Sequence, residues 1–419
     1  MVLPSSKIKL KFGFDSLRFP EKPGLLKTLI YLTMLKLEFL FSDKEKAFGP
    51  FYQPLNKVSL FSWKIFSDFN PHHYGDWISS LKGSGLETFE ADVVKKMIWL
   101  YKGSDEKITG MLTSGATEGN IFSCCLGKEF LLQIGVKKSY LFATSLTHQS
   151  VKKASRLTDI PLIDIPLNKD FGISSYHLGR QLKKIYKNES VGILICLTLG
   201  YKKTGTSDKV EEVVDVVNKA SKLYPKMKFF LWIDGALEGL ITPFISKNFK
   251  PFKSSYIKTF VVDFHKLAHV PYPSSLILFR KNLIKKNSPL ENGLFESRTG
   301  LAAISFWSLI NALGKEGFKQ QILKCQLLRS EFLSKVEKYF NKDDILNSEY
   351  GITTTLILEA RTTEKIKEME KDFPVRLHQD FLNIEGKKKN FRLLKIYFLP
   401  TLNRNKLDSF LESLRTHLK

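Results

Sequence analysis

VVDFHKLAHVPYP, residues 261–273, places a lysine, preceded by His265, shortly after an apolar, β-branched run. TFVV, residues 259–262, has the composition of a buried strand, and Pro271 and Pro273 stop any helix soon afterwards. An amine at the end of a core strand is costly unless it is neutral, paired or covalently used. Two readings of Lys266 follow. Its stem can lie in the core while the amine reaches water. Alternatively it is a Schiff-base lysine, kept nucleophilic by burial and capped by an aldehyde.

Working outward, short apolar strands alternate with helical patterns. Strands are predicted at 139–143, 191–199, 228–233, 259–262 and 275–279, and helices at 86–102, 151–157 and 209–223. VGILICLTL, 191–199, is almost continuously apolar, as a strand covered on both faces would be. This alternation predicts an α/β fold with a mostly parallel sheet. Its reactive side chains belong at the carboxyl ends of the strands. Lys266, Asp234, His148 and the turn Ser114-Gly115-Ala116-Thr117 all lie at such ends. That turn, in MLTSGATEGN (111–120), opens a helix whose first N–H groups can cradle an anion, or it is an ordinary N-cap. Helices at 301–313, 317–339, 363–371 and 404–418, with strands at 351–358 and 393–398, predict a small α+β C-terminal domain. The expected division is an N-terminal segment (1–80) with an amphipathic helix at 25–41, a large α/β domain (81–300) and the C-terminal domain (301–419).

The bulk numbers narrow the function classes. In 419 residues, 43% hydrophobic and 12% aromatic content suit a folded protein and not low-complexity disorder. The net charge of +23 is spread along the chain without an RNA-binding motif, basic zipper or Cys/His finger, so it reads as a solvated basic surface attractive to small anions. Binding of nucleic acid or an acidic surface rests on charge alone. Cys124, Cys125, Cys196 and Cys325 form no CxxC pair and read as core fillers in a reducing, cytoplasmic setting. His72 and His73 lack metal-ligand spacing, and no metal is expected. Residues 25–41 carry Lys27, Lys36 and Glu38, against a membrane span.

Five segments in order resemble the pyridoxal-phosphate group II amino-acid decarboxylases, nearest to histidine and serine decarboxylases, with the fold-type I architecture. They are TSGATEGN (113–120), THQSVKKASRL (147–157), IDGALEGLITPF (233–244), FHKLAHVPYP (264–273) and ESRTG (296–300). The resemblance implies a phosphate-binding turn at Ala116 and Thr117, with Ser114 and Gly115 beside them. It implies a ring-stacking histidine at His148, a ring-nitrogen carboxylate at Asp234 and a ring-face alanine at Ala236. His265 and the Schiff-base Lys266 complete the set. It also implies a cytoplasmic homodimer that converts an amino acid to an amine and carbon dioxide. The chemistry is coherent residue by residue. An aldehyde needs an amine, a pyridine needs a carboxylate to stay protonated, a phosphate needs N–H donors, and a flat ring needs a stacking partner.

Three departures cluster at the same place. Asp263-Phe264 stands where the family has serine and glycine. His269-Val270 replaces Gly-Ser, and Gly200-Tyr201-Lys202 replaces a Gly-Thr-Thr turn. A carboxylate at position 263 facing the phosphate would be repulsive unless it turns away or is neutralised by Lys202, Lys203 or Arg298. A divergent, catalytically impaired homologue with an interaction or regulatory role is therefore the alternative expectation.

Overall fold

The structure, a computed structural model, describes residues 30, 33–34, 55–68, 72–74, 87–104, 106–285, 288–291, 293–295, 297–358, 375–400 and 402–418. The helix expected at 363–371, and nearly all of that expected at 25–41, lie outside these residues. In chain order the strands are β1 (His72–Tyr74), β2 (Ile108–Thr113), β3 (Ser139–Ala143), β4 (Leu162–Asp164), β5 (Val191–Thr198), β6 (Met227–Asp234), β7 (Ile257–Asp263), β8 (Ser275–Arg280), β9 (Ser297–Thr299), β10 (Ile345–Asn347), β11 (Thr353–Ile357), β12 (Val375–Ile384) and β13 (Lys387–Tyr397). The longer helices are α1 (Lys57–Ser67), α2 (Glu87–Leu100), α3 (Ala116–Gln133), α4 (Gln149–Thr158), α5 (Ser175–Ile185), α6 (Val210–Leu223), α7 (Leu301–Val336) and α8 (Arg404–Leu418).

Every residue of β5 is buried, and β6 exposes only Lys228, so the middle of the sheet is covered on both faces. The seven-stranded sheet runs β2-β8-β7-β6-β5-β3-β4. It is parallel from β7 to β4, while β8 is antiparallel to both its neighbours. An antiparallel step needs no helical crossover, so residues 264–274 join β7 to β8 directly. Lys266 sits in that connection. A second, four-stranded antiparallel sheet, β10-β11-β13-β12, belongs to the small C-terminal α+β part. The two helices predicted at 301–313 and 317–339 form α7, broken at Gly314, whose φ of 59° and ψ of −177° leave the helical region. No helix among the described residues is long and apolar enough to cross a membrane.

Register brings the strand ends together. Thr198 lies opposite Asp234, and Asp234 opposite Val261. Asp263 lies opposite Ser275, which in turn faces Thr113. Helix α3 then packs over this edge through Gly119, where an added Cβ would lie 2.7 Å from Val261 Cγ1. The missing side chain lets the helix descend onto β7, so that its first turn reaches the end of the strand. Gly119→Ala is expected to lower the urea midpoint by the equivalent of ~1–2 kcal/mol, although alanine is the better helix former. In a double-mutant cycle, Val261→Ala should relieve at least ~0.5 kcal/mol of that loss.

Candidate active site

A cavity of about 520 Å³ opens at these strand ends. Ser114, Gly115, Ala116, Thr117, His148, Asp234, Ala236, His265 and Lys266 all line it, so the side chains expected from sequence to work together do meet. A larger cleft, about 1090 Å³, contains none of them.

Asp234, the last residue of β6, is buried. Its Oδ1 accepts the Ala236 N–H at 3.1 Å, and its Oδ2 accepts Asn120 Nδ2 at 2.8 Å. Asn120 Oδ1 accepts the Trp232 indole N–H at 3.1 Å, and Asn120 Nδ2 also reaches Ser150 Oγ at 3.0 Å. Ser150 Oγ lies 2.9 Å from His148 Nδ1, which also accepts the Ser150 backbone N–H at 3.2 Å as the N-cap of α4. A ring nitrogen that accepts carries no proton, so the neutral His148 has its proton on Nε2. Burial lowers the His148 pKa, Asp234 opposes that, and Lys266 and Lys202 add to it. Asn120 and Ser150 thus hold the carboxylate and the imidazole in fixed relation. Both occur in the quoted motifs, but sequence reasoning assigned them no role. The one signal was the helical spacing from Ala116 to Asn120, one turn along the same face.

At the other end of the cavity the arrangement differs. Asp263 is 2% exposed. Its Oδ1 accepts the Ala116 N–H at 2.9 Å, the first amide of α3, and the Ser275 hydroxyl donates to the same oxygen. Its Oδ2 lies 2.7 Å from Lys266 Nζ and 3.5 Å from His265 Nε2. Burial works against the Asp263 charge, but the Lys266 ammonium, His265 and the hydrogen bonds outweigh it and hold the carboxyl below its usual range. The counter-ion is therefore Lys266 rather than the expected Lys202, Lys203 or Arg298. Lys203 pairs with Asp380, and Arg298 pairs with Glu90 at 3.3 Å. A second donor of the predicted cradle is also engaged: the Ser114 N–H gives 2.7 Å to Glu118 Oε2.

The other two departures have structural causes. Phe264 stacks on Phe306 of α7 at 3.5 Å between ring centroids and fills the core. His269 is buried with φ of 50°, a backbone region that favours glycine. Its carbonyl accepts the Asn56 N–H, joining this loop to the cap of α1. Tyr201 points into protein, donating to both oxygens of Asp208 at 2.8 Å. The adjoining loop is held by a residue not anticipated from sequence. Lys395 of β13 is fully buried and donates to the carbonyls of Tyr201 (2.8 Å) and Lys202 (3.1 Å).

Residues 76–354 match the pyridoxal-dependent decarboxylase conserved domain, which is more than half the chain. The chain belongs to the pyridoxal-dependent decarboxylase family. Among curated relatives, the histidine decarboxylase of Vibrio campbellii is 23% identical over 316 residues, spanning 73% of this chain and 79% of the relative. A probable L-aspartate decarboxylase of Thermococcus gammatolerans is 25% identical over 376 residues, spanning 84% and 88%. The crystal structure of L-methionine decarboxylase from Streptomyces sp. 590 superposes with a TM-score of 0.77 at 14% identity, covering 96% of this chain and 98% of that one. The family consists of carboxy-lyases of amino-acid metabolism, and its cofactor is pyridoxal phosphate.

This decarboxylase-family cavity fits one half of that cofactor. A buried carboxylate with two donors fixing it, a capped neutral histidine and a lysine on one cavity wall suit a pyridine carrying an aldehyde. The phosphate half does not fit as the site stands, because the Asp263 carboxylate holds the Ala116 amide that would otherwise meet an anion.

Lys395 gives a pH test of the loop beside the cavity. Burial pushes its pKa down to about 7, against the pull of Glu238. The unfolded chain binds the proton up to an ordinary lysine pKa near ~10.4, so between about pH 7 and 10 it binds more protons than the native state. Stability should therefore rise with pH across that window, by at most ~1.4 kcal/mol per unit. Urea denaturation of Lys395→Met should show a flatter profile over the same range.

Proposed function

We propose that the protein is an amino-acid decarboxylase of the histidine- or serine-decarboxylase type, with Lys266 as the amine that takes the cofactor aldehyde. The observation that carries this reading is the convergence of Lys266, Asp234 and His148 on one cavity at the carboxyl edge of the sheet. A pyridine ring held between these side chains would supply the electron sink for the bond that breaks at the α-carbon. Asp234, oriented by Asn120 and the Ala236 N–H, is placed to hold a proton on a ring nitrogen. His148, with its proton on Nε2, offers a neutral aromatic face and one donor toward the cavity. Ala236 offers a small apolar surface beside the carboxylate. The same Lys266 amine must first leave its ion pair with Asp263 and lose a proton, because an ammonium has no lone pair to attack with.

That ion pair is also what favours a second reading, a homologue whose catalysis is impaired and which serves an interaction or regulatory role. The two readings separate in one assay. Carbon dioxide release is measured from a panel that includes histidine, serine, aspartate and aromatic amino acids, at saturating pyridoxal phosphate. The decarboxylase reading expects release from at least one amino acid, lost by more than a thousandfold in Lys266→Ala. No release from any of them would favour the impaired homologue, and release that survives Lys266→Ala would remove Lys266 from the role given to it here. Asn120→Ala, which frees Asp234 and leaves the indole N–H of Trp232 unpaired, is expected to lower the rate at least tenfold while leaving Lys266 in place.

A further inference from the structure

Asp263 stands at the end of β7, where its Oδ1 takes the first amide of α3 and the hydroxyl of Ser275. A helix N-terminus presents N–H groups and a partial positive charge, and an anion is its natural occupant. In this chain the occupant is covalently part of the protein. Its other oxygen faces Lys266 at 2.7 Å and His265 at 3.5 Å, so the carboxylate already collects the cationic and N–H partners that a phosphate would need. Glu118 takes the Ser114 amide in the same turn, which adds a second carboxylate at that end of the cavity. Nearby, the Tyr272 hydroxyl would lie 3.9 Å from a Cβ at Gly115. The ring end of the cavity, with Asp234, Asn120 and His148, shows no such competition.

We infer that Asp263 is a built-in replacement for the cofactor phosphate, so that this site takes the unphosphorylated aldehyde, pyridoxal, at least as tightly as pyridoxal phosphate. This rests on the reading of Lys266 as the cofactor amine. A phosphate brought to the α3 N-terminus meets a like charge that cannot leave. With unit charges about 4 Å apart and an effective dielectric of about 20, the repulsion lowers affinity about a thousandfold. Pyridoxal carries a neutral hydroxymethyl group at that position and leaves the Asp263 contacts to the Ala116 amide and the Ser275 hydroxyl undisturbed.

The test is a visible-absorbance titration of the full chain with pyridoxal and, separately, pyridoxal phosphate, with Lys266→Ala as the background. Asp263→Asn removes the charge while keeping an acceptor for the Ala116 amide, and Asp263→Ser also makes room; the two variants guard against one failing to fold. The wild type is expected to half-saturate with pyridoxal at no higher concentration than with pyridoxal phosphate. At least one variant should bind the phosphate form a hundredfold or more tighter, with pyridoxal changed less than tenfold. A wild type that binds pyridoxal phosphate a hundredfold tighter than pyridoxal, or variants that leave the ratio where it was, would overturn the inference and leave Lys266 in its role. No Lys266-dependent band with either aldehyde in any of the chains would overturn both.

Discussion

The contact between the Asp263 carboxylate and the first amide of α3 is the constraint on which the rest of the site's geometry depends. It joins the end of β7, the start of a helix, the first residue of β8 and the lysine of the β7–β8 connection through one buried group. A carboxylate removed from water is tolerable only when its lone pairs are met and its charge is balanced. Here two hydrogen bonds meet one oxygen, and an ammonium and an imidazole face the other. Removing any one partner leaves a buried charge short of compensation, so the four elements are held in register by the same requirement. Val261 and Gly119 make the contact possible by letting the helix lie close to the strand.

The opposite end of the cavity follows a different logic. Asp234 is also a buried carboxylate, but its partners are neutral: an asparagine amide and a backbone N–H. Such an arrangement orients a charge without cancelling it, which leaves the carboxylate able to act on a cationic group brought to the cavity. Asn120 extends the order to Ser150 and His148, so a helix, a strand and a second helix present their side chains as a unit. One end of the cavity is thus prepared for an outside charge, and the other end has its charge already supplied from within.

Much of this was legible in the sequence. The apolar run at 191–199 reads as a strand buried on both faces and 228–233 as the next strand, and the strand-end rule places Asp234, His148, Lys266 and the turn at 114–117 together. The family resemblance adds Ala236 and His265. What the chain did not disclose was the direction of side chains whose partners are distant. Asp263 stands out in the sequence as a foreign charge, but nothing in the sequence distinguishes Lys266, three residues on, from Lys202, Lys203 or Arg298 as its counter-ion. Lys395 lies in a strand whose early residues, KKKNF, look like solvated charge; only pairing with β11 and β12 turns its amine inward. Strand β12 is faint in the sequence for a similar reason, since VRLHQDFLNI mixes polar and apolar positions and acquires its form from the long antiparallel pairing with β13. Helix α5 is likewise faint, its two buried leucines being a thin signal.

The claim most exposed to test is the identity of the reactive amine. Borohydride reduction of the protein at saturating pyridoxal or pyridoxal phosphate, followed by proteolysis and mass spectrometry, assigns the labelled lysine directly. A single pyridoxyl or phosphopyridoxyl group on the peptide that contains Lys266 is the predicted result. Label confined to other lysines, or no label above that of the Lys266→Ala protein, would contradict the reading from which every functional statement here descends.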